Sequence, residues 1–302
     1  MKPCLIVYIF LSLLVMPACS QSFDWWKNLV SWDGISSWKE YIRYNPRYLG
    51  PNALPVPFIG NGSIDSISSF SITGNFHTTK GDQTINPTLY ANYNIVKDRI
   101  SIDAFLVPIE RYNVSHKLKE ERNVYYLNYY DKAATGDLHL NMNIQLLNKI
   151  RNKIHLSLRL GFRYASSEKI AAARFTDAPG YFFDLSAGKK LGVSSNWKLI
   201  AMAGFLVWQT NTTVYAQNDD FLFGSGLEYN KKGLTFQTSL SGYLGYRNDG
   251  DHPVVYRFSL QKRKEKLGWL FRSQIGLNDF LYKSVEGGVT YNFTKRLSKR
   301  QK

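Results

Sequence analysis

Residues 136–146 read GDLHLNMNIQL, so Leu138, Leu140, Met142, Ile144 and Leu146 share one face of an extended chain and Asp137, His139, Asn141, Asn143 and Gln145 the other. Strict period-two alternation marks a strand with one apolar side. Past a short basic turn at 148–152 the pattern resumes, with Ile154, Leu156, Leu158, Leu160, Phe162 and Tyr164 set against Lys153, His155, Ser157, Arg159 and Arg163. Two such segments joined by a short turn predict a long antiparallel hairpin. Each arm runs for roughly 11 to 13 residues, about twice the usual soluble strand and near what a tilted strand needs to cross hydrocarbon.

Working outward, the same dyad returns near the C-terminus. Leu234, Phe236, Leu240, Leu244 and Tyr246 oppose Thr235, Gln237, Ser239, Ser241 and Arg247; Tyr256, Phe258 and Leu260 oppose Arg257, Ser259 and Gln261. Leu267, Trp269, Phe271, Ile275 and Leu277 alternate with polar or small residues, and Val285, Val289, Tyr291 and Phe293 oppose Glu286, Thr290 and Asn292. Weaker versions at 66–78, 88–97, 100–109, 181–189, 197–209 and 221–230 bring the count to about twelve, an even number that returns the C-terminus to the side of the N-terminus. Short turns at 97–99, 148–152, 191–196, 231–233 and 264–266 alternate with longer connections at 110–135, 166–180 and 210–220. The connections at 248–252 and 279–282 are short exceptions to that scheme.

At the N-terminus, Lys2 precedes an apolar run from Leu5 to Met16 that is too short to span a bilayer as a helix, the form of a signal peptide. Ala18 and Ser20 suit cleavage after Ser20; Cys19 is the competing lipoprotein reading, against which Met16 and Pro17 make a poor lipobox. Cleavage after Ser20 removes both cysteines, Cys4 and Cys19, and with them disulfides, thiolate zinc sites and cysteine nucleophiles. No later stretch has the roughly 18 to 20 apolar residues of a membrane helix, so a membrane-spanning form has to be a closed sheet.

An export signal, amphipathic strands from about Ser66 to Phe293 and a final strand ending in an aromatic resemble the Gram-negative outer-membrane β-barrel proteins. The resemblance covers about three quarters of the chain and is architectural. It implies an all-β fold, an antiparallel transmembrane barrel of about twelve strands in the cell outer membrane. It also implies that outer-membrane lipids and, during assembly, the barrel-insertion machinery are partners, with Phe293 as the candidate assembly signal. Members commonly stop at that aromatic, whereas this chain continues through Lys295, Arg296, Lys299, Arg300 and Lys302. The expected organisation is signal peptide 1–20, aromatic and proline-rich segment 21–62, barrel 63–293 and basic tail 294–302.

Residues 22–60 carry Trp25, Trp26, Trp32 and Trp38, four of the seven tryptophans. Ser36 or Ser37 is placed to cap a short helix through Trp38, Tyr41 and Ile42, before Pro46, Pro51, Pro55 and Pro57 force an extended path. A periplasmic helix, a plug in the barrel mouth, a cover for the rim and a docking site for another envelope protein are the readings open to it.

Net charge is +15, gathered in the short turns and the tail, which suits anionic headgroups and, in an exported chain, excludes nucleic acid as a partner. The inward faces bring together Asp137, His139, Arg159, Arg163, Asp184, Glu228, Arg257, Arg272 and Glu286 as candidate lumen-lining residues. These charges either pair across strands, as Asp137 and Arg163 can in their hairpin, or form a constriction favouring small anions.

Enzyme signatures are missing: no H-E-x-x-H, no G-x-S-x-G and no phosphate-binding glycine loop. S-x-x-K at 166–169 lacks its companion motifs, and the outward serines Ser225 and Ser273 have no histidine in view, since His139 and His155 face inward and His252 falls in a loop. No cofactor or metal site is expected. The leading functional expectation is a non-enzymatic barrel acting as a narrow channel for small polar or anionic solutes. The alternatives are an anchoring or assembly barrel that binds a partner through its N-terminal segment or outer loops, and an outer-membrane lipid hydrolase.

Overall fold

Each alternating segment folds as a strand that pairs antiparallel with its neighbour, because only continuous ladders satisfy the backbone where one face is apolar. The computed structural model describes residues 24–125, 132–149, 154–167, 170–192, 195–210, 212 and 216–293. The signal peptide, Cys19, Arg151, Lys169 and the basic tail lie outside the described residues. The strands are β1 (Ser69–Thr79), β2 (Asp82–Val96), β3 (Ile100–Leu106), β4 (Glu110–Val114), β5 (Ala133–Ala134), β6 (Leu138–Lys149) and β7 (Ile154–Tyr164). They continue as β8 (Gly180–Lys190), β9 (Trp197–Gln209), β10 (Gln217–Lys231), β11 (Leu234–Leu244), β12 (Val254–Arg263), β13 (Leu267–Asn278) and β14 (Lys283–Asn292).

Twelve of these strands close a ring in chain order, β1, β2, β3 and then β6 to β14, with β1 hydrogen-bonded to both β2 and β14. The two remaining strands extend the start of β2 where β3 has already ended: β4 pairs with Asp82–Ile85, and β5 with β4. Polarity is inverted relative to a soluble protein. Ile72, Phe76, Phe162, Phe183, Phe205 and Val289 are exposed on the outer wall, while Thr73, Asp184, Ser186, Ser241 and Thr290 are buried inside. An apolar exterior around a polar interior is the surface a lipid bilayer selects.

The sequence places the start of β2 too late, at Thr88. Pro87 interrupts the run and conceals an alternation that begins at Asp82, with Thr84, Asn86 and Thr88 inside. The 110–135 connection is also not featureless, since it holds β4, β5 and a short helix α2 (His116–Glu121) capped by Ser115, whose hydroxyl accepts from Leu118 N–H. On the turn side, Lys232 and Gly233 both have positive φ between the paired residues Lys231 and Leu234, the two-residue hairpin geometry that matches strand twist.

The N-terminal segment sits at the loop end of the barrel, opposite the short turns. A helix α1 (Asp24–Val30), not foreseen from sequence, buries Trp26, whose Nε1 donates to Asn123 O at 3.1 Å and whose ring meets Tyr125 edge-on at 5.0 Å. The expected helix after Ser37 is a single 3-10 turn, Trp38–Tyr41: Ser37 makes no side-chain cap bond, and Ile42 is already extended and buried. Leu49, Ala53, Ala173, Phe175 and Trp208 complete one apolar cluster that binds this segment to the long connections.

Residues 50–65 then run down the lumen to the turn end. Gly188 lets the segment's backbone touch the wall, since a side chain there would lie 2.0 Å from Asn61 O. Gly62, at φ +77°, makes the matching approach from the segment. Cysteines placed at Ile35, which is 92% exposed, and at Asn248 report the loop end; one at Lys232 reports the turn end. An impermeant maleimide applied to intact cells should label the first two, and the third only after the outer membrane is permeabilised.

Candidate functional site in the lumen

The inward charges are distributed along the lumen in three groups. Near the loop end Arg163 Nη1 meets Asp137 Oδ2 at 2.8 Å while Nη2 donates to Ala178 O, and Asp137 Oδ1 accepts from the N–H groups of Ser166 and Ser167. The cross-strand pair therefore also fastens the 165–179 connection. His139, next along β6, stacks on Phe105 with ring centroids 4.1 Å apart.

A second group grips the N-terminal segment by its backbone. Arg257 donates to Val56 O at 2.5 Å, Pro57 O at 3.0 Å, Ser241 Oγ and Gln274 Oε1. Arg159 bridges Asp184 Oδ2 and Phe58 O, both at 2.7 Å, and Glu228 accepts from Asn61 Nδ2 at 2.8 Å. Gln237 and Gln145 reach Ile59 O and Gly62 O, and Lys198 approaches both Glu228 and Asn61 O. An extended chain offers a carbonyl at every residue, and burying carbonyls without donors is costly, so these side chains act as the missing strand partners of residues 56–62.

The third group faces open space. Between the segment and the wall formed by β10 to β14, β1 to β3 and the start of β6 lies a cavity of about 580 Å³, which Asp137, His139, Glu228 and Arg257 of the first two groups also line. Its lining runs from Arg263 and Gly233 at the turn end to Val107 and Phe280 beneath the loops. Arg272 pairs with Glu286 at 3.1 Å, and Arg263 with Asp65 at 2.5 Å. Phe58 projects from the segment, with the Arg257 guanidinium 4.4 Å and that of Arg272 4.6 Å from its ring centre.

Above the cavity, a fully buried ion cluster ties the loop end together. Arg174 binds Asp82 Oδ2 at 2.6 Å, Glu110 Oε1 at 2.7 Å and Thr84 Oγ1; Arg122 binds the same Asp82 oxygen at 2.8 Å and Tyr282 Oη. Asn52 of the segment donates to Glu110 and Asn86. Two arginines thus balance two carboxylates across β2, β4 and two long connections. Three of these four residues lie where no strand period marks them, so sequence reasoning missed the cluster; Asp82 alone had a signal, the inward parity of β2.

Sequence reasoning also found no serine and histidine within reach of each other, and the structure corrects that. On the inner wall His77 Nδ1 lies 2.7 Å from Ser284 Oγ, and its Nε2 lies 3.1 Å from Asn86 Oδ1. Because Asn86 Oδ1 accepts, Nε2 carries the proton and Nδ1 accepts from Ser284. The neighbouring amide, Asn75 Nδ2, is already engaged with Thr73, Thr88 and the Asn86 carbonyl and is not free to hold an oxyanion. Ser225 is exposed on the outer wall, away from any of these groups.

No family model matches the chain, and no curated protein does. Among solved structures, an outer membrane channel from Pseudomonas putida F1 superposes with a TM-score of 0.56 at 12% identity, covering 80% of this chain and 100% of that one. The chain has the outer-membrane β-barrel fold. The NanC porin agrees, with a TM-score of 0.52 at 9% identity over 74% of this chain and 100% of that one. At such identities the likeness carries the barrel alone, and the segment in its lumen has to be understood from its own contacts.

In this barrel, Arg174→Met should leave Asp82 and Glu110 short of a counter-charge and cost roughly 3–5 kcal/mol locally. The expected readout is cleavage by added protease within the 107–137 and 165–179 connections, while the strands stay folded and the unheated band keeps its anomalous gel mobility.

Proposed function

We propose that the protein is an outer-membrane barrel that passes small polar solutes through a lumen gated by its own N-terminal segment. The observation that carries this reading is the cavity beside residues 50–65, lined by polar and apolar side chains alike, which reaches from the turn end to the underside of the loop-end cluster. A wet path most of the way across the barrel, stopped by a segment held through side-chain bonds to its carbonyls, is the arrangement of a closed gate. Of the three arginines on the cavity, Arg272 and Arg263 are paired with Glu286 and Asp65, and Arg257 spends its donors on Val56 O, Pro57 O, Ser241 and Gln274, which leaves little free positive charge to select anions. Uncharged polar solutes suit such a wall better. Residence in the outer membrane belongs to the same proposal, as does Phe293 as assembly signal; its ring is 53% exposed and its N–H donates to Ser68 O where the barrel closes.

The test locks the gate. An ideal Cβ at Gly60 would lie 2.9 Å from Ser186 Cβ, closer than the usual disulfide spacing of about 3.5–4.5 Å, so the segment has to move outward by roughly half an ångström or more to take the bridge. In planar bilayers the Gly60→Cys, Ser186→Cys barrel should be silent when oxidised and recover the wild-type conductance on reduction. Equal conductance in both states, or none from a barrel lacking residues 24–62, would count against gated passage.

An anchoring role is favoured by a different observation: the segment presents Ile35 and Leu29 at the loop end, 92% and 42% exposed. Loss of an envelope partner on deleting residues 23–48, with the barrel still folded, is the result that reading requires. The lipid-hydrolase reading now rests on His77 and Ser284. Labelling of Ser284 by a fluorophosphonate would support it, and no labelling is expected while the oxyanion position lacks a donor.

A further inference from the structure

Where β10 leaves the wall at the loop end, two carboxylates are buried without a counter-charge. Asp220 and Asp251 are both fully buried. The β10–β11 ladder pairs Phe221 with Leu244, so its next step sets Asp220 opposite Gly245. A side chain at Gly245 would lie 2.1 Å from Asp251 Oδ2 and 2.7 Å from Asn218 Nδ2. The absence of one is what lets the Asp251 carboxylate lie across that strand, next to Asp220.

The hydrogen bonds account for only half of the oxygens. Asp220 Oδ2 accepts from Trp208 Nε1 at 3.0 Å, and Asp251 Oδ2 from Asn218 Nδ2 at 3.1 Å and the Arg247 N–H at 3.0 Å. Asp220 Oδ1, Asp251 Oδ1 and, on a third fully buried side chain, Asn218 Oδ1 have no hydrogen-bond donor. The cations around them each pair with another carboxylate: Arg163 with Asp137, Arg247 through its Nη2 with Asp249, and Arg47 with Asp279. His252 Nε2 is 3.7 Å from Asp251 Oδ1 but sits 2.7 Å from the Gly245 carbonyl. Tyr243, two residues before Gly245, directs its hydroxyl to Leu54 O.

Orphaned oxygens on adjacent buried carboxylates are strongly unfavourable unless a cation or a proton joins them. We propose that Asn218, Asp220 and Asp251 bind a hard divalent cation of the calcium type, tying the β11–β12 loop to β10. Among the described residues no group of three or more His, Cys, Asp or Glu is arranged for a metal; here the third ligand is an amide oxygen, a donor calcium accepts readily. Three protein oxygens leave the remaining positions to water, which sets affinity in the range of about 10⁻⁴–10⁻³ M typical of extracellular sites. None of the three residues lines the lumen cavity, so the site stands whatever the barrel passes.

Terbium, a luminescent stand-in for calcium, tests this on the purified folded barrel under tryptophan excitation. Trp208 touches Asp220, so sensitised emission should appear, saturate and be displaced by millimolar Ca²⁺. Asp220→Asn and Asp251→Asn keep the volume and remove a charge, and each should weaken apparent terbium affinity by roughly tenfold or more. In chelator both variants should unfold at higher temperature than the wild type, having lost an unpaired carboxylate, and in Ca²⁺ the order should reverse. Absent emission, or a wild-type melting temperature equal in Ca²⁺ and chelator, overturns the proposal. So does wild-type stability that rises on acidification without terbium emission, because the cluster then holds a proton instead.

Discussion

Ten residue pairs, from Ser69–Asn292 to Thr78–Lys283, zip β1 to β14 and close the twelve-strand ring. Any open edge would expose unpaired N–H and C=O groups to lipid at several kcal/mol each, so closure comes before every other choice this chain makes. Once the ring is closed, the two faces of each strand meet different solvents, and the period-two pattern becomes an inside and an outside. The outer face is settled by aliphatic and aromatic side chains. The inner face is polar, and its polar groups need partners of their own.

Some of those partners lie across the wall, and others are supplied by residues 50–65. Arg257 alone makes four hydrogen bonds, two of them to carbonyls of residues 56 and 57. Charged donors to neutral acceptors are worth about 1.5–3 kcal/mol each, so a handful of such contacts offsets the entropy of ordering a short extended stretch. Prolines at 46, 51, 55 and 57 lower that entropy further by restricting the unfolded segment. The segment is held by polar bonds along the lumen and by apolar packing at two levels, beneath the loops and, in its middle, where Val56 and Ile59 pack with Ile200, Met202, Leu222 and Val255, so releasing that middle has to break both kinds of contact.

The wall was legible in the sequence because parity is local: residues 136–164 and 234–293 announce strand, face and turn without reference to anything distant. Parity also identified which charges point inward, from Asp137 to Glu286. It could not say what they point at. Arg159 and Arg257 look alike as inward arginines, yet each is engaged with backbone supplied from about 100 and 200 residues earlier, a distance at which no periodicity operates. Arg122, Arg174 and Glu110 sit in connections with no period to betray them, and Pro87 conceals the inward row that contains Asp82, Thr84 and Asn86. The tryptophans at 25, 26, 32 and 38 drew attention by number alone; that they pack beneath the loops followed from tertiary contacts with Asn123 and Tyr125.

The lumen segment also has a history in time. It leaves the ribosome before any strand, yet its partners are spread across the later chain, the last of them Tyr282, whose hydroxyl oxygen lies 3.3 Å from Leu49 O across 233 positions. Contacts of such sequence separation form late, after the loop-closure entropy of nearly the whole chain has been met. Residues 24–65, which precede every strand, are therefore among the last to be satisfied, since their partners reach as far as Tyr282. A barrel built this way matures in two acts, closure and then docking, and a chain halted between them would hold a complete wall around an unfurnished interior.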